Sequence, residues 1–389
     1  MAQVVVVQEK EYDQERLRER LQDVLCNKLE VFSRLKGDEK ILLKPNLLMG
    51  IAPDEAITTH PAVVEAAGRV FKERGFDVYI ADNPGGFAEL KNVDNVYEAC
   101  GMSEVARRCG FTLLYPERVV LKENIPFSWW IDGFTIVNLA KLKTHQITTL
   151  TLATKNLYGC ISGLYKSMIH KYNTRPQDLA RFILKLYKLV TPLVNIVDGI
   201  VALEGEGPAR AGTLRQCNLL AIGDDCLATD YVVNQILNAS LASNPLLHLA
   251  VEEKILDRKN ITVYPPTLPR IRRFKFPHVY PLAKVPKFFI PFLKVLLNVR
   301  PHIELDKCTG CGVCDEACPP DAISMVGVSL ARTSSSGGSS PSKQERAVID
   351  YRRCILCMCC YEVCKFQAVT LKKSFAVRAW DWIQKRIGQ

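Results

Sequence analysis

Cys308-Thr309-Gly310-Cys311-Gly312-Val313-Cys314-Asp315-Glu316-Ala317-Cys318-Pro319 places two, two and three residues between successive cysteines. Cys354-Ile355-Leu356-Cys357-Met358-Cys359-Cys360-Tyr361-Glu362-Val363-Cys364-Lys365 repeats that spacing, so eight of 15 cysteines fall in two equivalent runs. An iron–sulfur cubane needs four thiolates around one small volume. In this spacing three close cysteines wrap one cluster, and the fourth opens a short helix that reaches the other. The expected sets are Cys308, Cys311, Cys314 and Cys364 on one [4Fe–4S] centre, and Cys354, Cys357, Cys360 and Cys318 on the second. Zinc sites pair two CxxC units and have no use for the extra cysteine. Disulfides need a secreted context that nothing else in the chain suggests.

Each run has the same surroundings. Pro301-His302-Ile303-Glu304 and Ala347-Val348-Ile349-Asp350 read as entering strands, and Asp321-Ala322-Ile323 and Gln367-Ala368-Val369 as matching exits. This internal repeat resembles the bacterial-type two-cluster ferredoxin domain over about residues 301–373. Two departures stand out. Lys365 replaces the proline usual in that family, which brings a cation near the first cluster and favours its reduced form. Cys359 is a ninth cysteine; its intervals to Cys357 and Cys364 are wrong for a ligand, so it reads as a spare, partly buried thiol.

The 389 residues allow two or three domains, with 48% hydrophobic and 24% charged residues. The net charge of +10 is uneven. Residues 265–389 hold 20 Lys/Arg against 9 Asp/Glu, and the rest hold 31 against 32. That basic third could steer an acidic redox partner or meet an anionic membrane, but compensation for the anionic clusters is the simpler expectation. It lacks a recognition helix or regular basic–aromatic platform, so no nucleic acid is expected. Met1–Val7 reads as a first strand rather than a signal peptide. The most apolar stretch, Pro286 to Val299, is interrupted by Lys287 and Lys294 and falls short of the ~20 residues of a spanning helix. A cytoplasmic protein without a transmembrane segment is expected, with peripheral membrane contact not favoured.

Residues 1–264 alternate short Val/Ile/Leu strands with amphipathic helices. Helices are expected over Arg16–Leu35, Pro61–Arg74 and Val93–Cys109. Strands are expected at Ile41–Leu43, Asp77–Ala81, Thr135–Leu139, Leu193–Val197 and Leu219–Ile222. The pattern predicts a layered α/β domain with a largely parallel sheet, beside a small α+β ferredoxin-type domain. Residues 265–300 read as a basic, Pro-rich connector with a short helix near Lys284–Leu297. Residues 331–346 read as a flexible Ser/Gly insertion, and 374–389 as an amphipathic tail helix.

The chemistry of the large domain clusters where strands are expected to end: Lys44-Pro45-Asn46, Asp82-Asn83-Pro84-Gly85-Gly86, Lys141-Leu142-Lys143-Thr144-His145 and Asp198-Gly199. Ligands bind beyond the carboxyl ends of strands in open α/β sheets, so these segments should converge on one crevice. Thr58-Thr59-His60-Pro61 reads as a helix start that could also receive an anion. Lys44, Asn46, Lys141, Lys155, Asp82 and Asp198 are the candidate substrate-binding residues. Lys143 and His145 are the catalytic candidates, His145 as proton donor because imidazole titrates near neutrality. Glu204–Pro208 reads as a mobile loop, Cys160 as a small buried hydrophobe. No dinucleotide or P-loop fingerprint appears.

Leu42–Leu47, Thr58–Pro61, Lys141–His145, Lys155-Asn156-Leu157-Tyr158-Gly159, Asp198-Gly199, Glu204–Pro208 and Asp224–Asp230 together resemble the domain of unknown function 362 family over most of residues 38–250. The resemblance implies the fold and the pairing with a two-cluster ferredoxin domain; it supplies no reaction. The expected function is an iron–sulfur electron-transfer protein. Its two clusters would relay electrons to or from the crevice, where an oxidoreductase step on an anionic substrate or bound cofactor would occur. The alternative is a non-enzymatic carrier or assembly factor whose α/β domain docks a redox partner protein.

Overall fold

The computed structural model describes residues 1–84, 90–163, 165–173, 175–277, 299–329, 343–375, 377–379 and 382. By its internal packing the chain divides into two units. The first holds the described residues up to Lys166 and from Arg175 to Pro277; the second holds those from Val299 onward together with Ser167–Asn173. Lys343–Arg346 of the expected insertion are strand, while 331–342, the Lys284–Leu297 helix, Gly85-Gly86 and most of the tail helix lie outside the described residues. Residues 270–277 of the expected connector belong with the first unit. Among the described residues no helix is long and apolar enough to cross a membrane.

The first unit is built on a nine-stranded sheet. In chain order its strands are β1 (Ala2–Gln8), β2 (Ile41–Lys44), β3 (Val78–Ile80), β4 (Thr112–Leu113), β7 (Thr135–His145), β8 (Thr149–Thr151), β9 (Val194–Gly205), β10 (Gly212–Gly223) and β11 (Ile261–Tyr264). A separate hairpin pairs β5 (Val119–Lys122) with β6 (Ile125–Ser128). The sheet order is β11-β1-β10-β9-β7-β2-β3-β4, with β8 on β7. Seven strands share one direction, and β10 and β8 run against them. The largely parallel α/β expectation holds, and burial on both faces explains why the central strands read as unbroken apolar runs.

Several elements differ from their sequence-based outline. The helix expected over Arg16–Leu35 is α-helical only at Gln14–Asp23. It widens into a π turn at Val24–Lys28, and Glu30 at φ 46° stops it before a 3-10 turn at Val31–Arg34. Gly101 at φ 77° splits the 93–109 helix into Leu90–Ala99 and Met102–Cys109. β7 and β9 run well past their expected ends, so Lys141–His145 and Asp198 lie inside strands rather than after them. Buried strands accept these charges because each ammonium finds an oxygen partner within the fold.

The second unit shows its repeat in hydrogen bonds. β12 (Val299–Ile303) pairs with β15 (Val369–Lys373), and β13 (Ile323–Ser329) with β14 (Lys343–Ile349). Glu304 N–H donates to the Ala368 carbonyl and Asp350 N–H to the Ala322 carbonyl, both at 2.7 Å, so each half closes the other. Gly310 and Gly312 take φ of 75° and 78°; the equivalent Leu356 and Met358 are held at 55° and 65°.

Candidate functional site

Strand alternation decides which charges can meet. Side chains an odd number apart on a strand face opposite sides of a sheet. Lys141 and Asp198 are register partners on β7 and β9, three residues beyond the register partners Asn138 and Asn195. The two pairs therefore occupy opposite faces. The single crevice expected from the sequence is two polar clusters, one on each face of the same sheet.

On the face covered by helices Gln14–Asp23 and Pro61–Lys72, Lys141 Nζ lies 2.7 Å from Asp198 Oδ2 and 3.0 Å from Tyr12 Oη. Tyr12 donates to Asp198 Oδ1 at 3.0 Å, and His60 N–H donates to Asp198 Oδ2 at 3.0 Å. Lys141 and Asp198 are both fully buried. Burial lowers the Lys141 ammonium from its ordinary value, with Asp198 opposing. It raises the Tyr12 phenol, and there Asp198 adds to the effect. The Tyr12 and His60 rings stack at 3.6 Å and 9°. His60 caps helix Pro61–Lys72 by accepting the Ala62 N–H on Nδ1 at 3.2 Å, which leaves its proton on Nε2. Burial first, then the Lys141 charge, brings His60 down to about 4. A depressed histidine stabilises the fold above its unfolded value and loses that contribution as pH falls toward the folded one. Thermal unfolding should therefore show a loss between about pH 6.5 and pH 4 that His60→Asn, which keeps a capping oxygen, flattens. An unchanged pH profile in that variant would refute the assignment.

The opposite face holds the second cluster. Lys44 Nζ is 2.7 Å from Asp82 Oδ1, and Asp82 Oδ2 accepts the Leu47 N–H at 2.7 Å. Gly159 lies against this pair: a Cβ there would stand 2.6 Å from Lys44 Nζ and closer still to Asp82. Gly159→Ala should force the buried pair apart and cost roughly 2 kcal/mol or more in a denaturation experiment; a neutral result would show that the pair has room to move. Cys160 is fully buried and pushed up to about 12 by that burial. Lys166 donates to the Asn83 and Pro84 carbonyls, and burial of its ammonium end, with Lys44 and Lys155 adding, brings it down to about 8. Lys155 is half-buried, its Nζ 5.7 Å from the Tyr158 ring centre.

A chain of amides runs beneath this face. Asn46 Nδ2 donates to Asn156, Asn156 to Asn138 and Asn138 to Asn195, each at 2.8 Å; Cys226 Sγ approaches Asn195 Oδ1 at 2.9 Å. Asp230 accepts the N–H groups of Ala153 at 2.7 Å and Thr154 at 3.0 Å, and burial pushes it up to about 7. These bonds hold the short helix Ala153–Asn156, and with it Lys155 and Asn156, against the sheet.

Lys143 and His145 are almost completely buried. Lys143 Nζ donates to the Ile57 carbonyl at 2.6 Å. His145 Nδ1 accepts the N–H groups of Ile147 and Thr148 at 3.1 and 3.3 Å, holding the turn from β7 to β8. Glu204 and Glu206, expected on a mobile loop, are buried; Glu204 Oε2 accepts the Lys275 N–H at 3.0 Å, and Glu206 pairs with Gln146. Sequence reading missed Tyr12, Lys166 and the partners Asn138 and Asn195. A signal existed for the asparagines: Val137-Asn138-Leu139 and Val194-Asn195-Ile196 each set one amide inside a buried apolar run.

In the second unit Cys308, Cys311, Cys314 and Cys364 line one cavity of about 340 Å³. Cys318, Cys354, Cys357 and Cys360 line another of about 300 Å³. The walls are otherwise apolar, with Ile303 and Val369 at the first and Ile323 and Ile349 at the second. Ala322 N–H donates to Cys318 Sγ at 3.2 Å. Four cysteines at each of two apolar-walled sites suit the thiolate set of a cubane, whose potential answers to such N–H···S bonds. Cys359 is buried beside Cys357, and its hydrogen bond lowers the Cys357 thiol while Cys359 itself is raised.

Comparison with known proteins matches residues 307–368 to the 4Fe-4S dicluster domain and residues 41–235 to the domain of unknown function (DUF362). The thylakoid-associated protein sll1697 of Synechocystis sp. (strain ATCC 27184 / PCC 6803 / Kazusa) is 32% identical over 233 residues, 57% of this chain and 69% of that protein. Among solved structures, a Thermotoga maritima protein aligns at 14% identity and a TM-score of 0.31, over 54% of this chain and 56% of its own. The dicluster match supports an iron–sulfur, electron-transfer role. With one family model spanning half its length, this chain belongs to the DUF362 family and joins that domain to a 4Fe–4S module.

Proposed function

We propose that this protein is an electron carrier with two [4Fe–4S] clusters. Cys308, Cys311, Cys314 and Cys364 would hold one, and Cys354, Cys357, Cys360 and Cys318 the other. The observation that supports it most is the gathering of eight thiols into two sets of four, each drawn from both repeats. When bound, the clusters would supply one-electron transfer. The chain's contribution is to exclude water with apolar walls and to set potentials through donors such as the Ala322 N–H and the Cys359 thiol.

The α/β unit would receive or supply those electrons at an anionic substrate or bound cofactor. Lys44 and Lys141 already face Asp82 and Asp198, so they would act by holding those carboxylates and the strand ends in place. Half-buried Lys155 and Asn46 are better disposed to meet an incoming anion. His145 remains the proposed proton donor, with Lys143 as the catalytic lysine that would bind the anion. The rival is a carrier or assembly factor whose α/β unit docks a protein. Dithionite-reduced protein separates them: reoxidation by small anionic acceptors, slowed tenfold or more by Lys155→Ala, is expected of the enzyme. Reoxidation only by a protein acceptor, indifferent to Lys155→Ala, would leave the carrier. The relative's association with thylakoids also supports a location for this chain at the cytoplasmic surface of a membrane, in contact without crossing it.

A further inference from the structure

The basic excess of residues 265–389 does not all belong with the clusters. Arg270, Arg272, Arg273 and Lys275 fold with the sheet unit, which holds none of the eight cluster cysteines, and no acid occurs between Pro265 and Ile303. The segment is tightly fastened. Phe274 is buried and stands 5.3 Å from Phe276, edge to face. Ile271 N–H donates to the Ile236 carbonyl at 2.9 Å, and Gly205 N–H to the Lys275 carbonyl at 2.8 Å. Arg215 donates to the Arg272 carbonyl at 3.0 Å. Its arginines, in contrast, point outward: Arg270, Arg272 and Arg273 are exposed, and among the described residues no carboxylate pairs with them. Arg273 sits at φ 58°, a left-handed conformation uncommon outside glycine. The three guanidinium groups border a groove of about 650 Å³ that also contains Phe274 and Phe276.

We propose that this arginine–phenylalanine groove is the surface by which the α/β unit docks on an anionic lipid bilayer, its arginines meeting headgroup phosphates. The proposal rests on the membrane location given above and names the residues that would produce it. Charge complementarity argues for a bilayer: three unpaired guanidinium groups on an acid-free stretch suit a field of phosphates. The chain that continues beyond the groove, Lys284 to Leu297, lies outside the described residues. As sequence it interleaves Lys284, Lys287 and Lys294 with Phe288, Phe289, Ile290, Phe292 and Leu293, the composition of segments that lie in a membrane interface. Taken by itself, the second unit exposes Phe375 and Trp382, the latter a residue type enriched at bilayer surfaces.

Co-sedimentation of the full chain with vesicles tests this, using phosphatidylcholine alone and phosphatidylcholine with about a quarter phosphatidylglycerol. Binding is expected only to the anionic vesicles. It should weaken roughly a hundredfold in Arg270→Ala/Arg272→Ala/Arg273→Ala and stay within a few-fold in the triple Arg→Lys variant. Unchanged circular dichroism and cluster absorbance would show both variants folded. If the wild type binds neither vesicle, the surface and the membrane location both fall, and an acidic protein face becomes the reading of the groove. Anionic binding that the alanine variant leaves intact overturns the surface alone. A loss with lysine as complete as with alanine would also overturn it, because a bilayer field does not need the guanidinium fork. Dithionite reduction followed by EPR reads the electron-carrier assignment separately in every variant.

Discussion

Asp198→Ala should destabilise the α/β unit by about 3–5 kcal/mol, because it strands a buried ammonium without its counter-charge. Lys141 and Asp198 are buried, and the aspartate also accepts from Tyr12 and from the His60 and Ile200 N–H groups. Removing the carboxylate leaves four donors, Lys141 Nζ, Tyr12 Oη and the His60 and Ile200 N–H groups, facing an empty volume. The effect is of the pair rather than of either charge: Lys141→Met with Asp198→Leu should recover most of the loss, since replacing both members with apolar side chains is often close to neutral. Denaturant unfolding of the full chain, followed by the far-ultraviolet signal of the larger unit, measures both. A loss below about 1 kcal/mol for Asp198→Ala would mean that the pair behaves as a solvated surface ion pair. Lys141 would then regain the role of anion receptor that its position near a strand end first suggested.

The second large effect concerns the cysteines. Substituting Cys364 should impair the centre held by Cys308, Cys311 and Cys314, although Cys364 belongs to the other run. The cavity walls make this the expected grouping. In anaerobically prepared protein, Cys308→Ala with Cys364→Ala should behave as one lesion, with iron falling from about eight to about four per chain. Cys308→Ala with Cys318→Ala should instead disturb both centres. EPR of the reduced protein adds the decisive readout, because magnetic interaction between two clusters vanishes when only one remains. The opposite pattern, with Cys308→Ala/Cys318→Ala acting as one lesion, would assign each run its own cluster and refute the crossed sets.

The ferredoxin module was legible because its ligand geometry is local. Three thiols two residues apart can wrap one cluster, and the fourth comes from a short helix a fixed distance on, so the pattern is carried in sequence intervals. The α/β class was legible for a related reason: unbroken Val/Ile/Leu runs separated by helical periodicity need burial on both faces. Strand ends were harder. Lys141, Lys143 and Asp198 look like residues past the end of a strand, since charge in a buried strand is costly. They stay within β7 and β9 because Asp198, Tyr12 and the Ile57 carbonyl supply partners from distant parts of the chain.

The cysteine spacing and hydrophobic pattern were therefore sufficient to establish a two-part chain, a parallel α/β layer and an iron–sulfur module. Tertiary structure alone decided what became of the candidate site. One crevice became two clusters because a three-residue step along a strand reverses the side chain's direction, and register across β2, β7 and β9 determines which charges are neighbours. Lys44 and Lys141 are committed to aspartates, and Tyr12 and His60 are stacked over one of those pairs. Each is a contact between residues far apart in sequence, set by the path of the sheet rather than by any local motif.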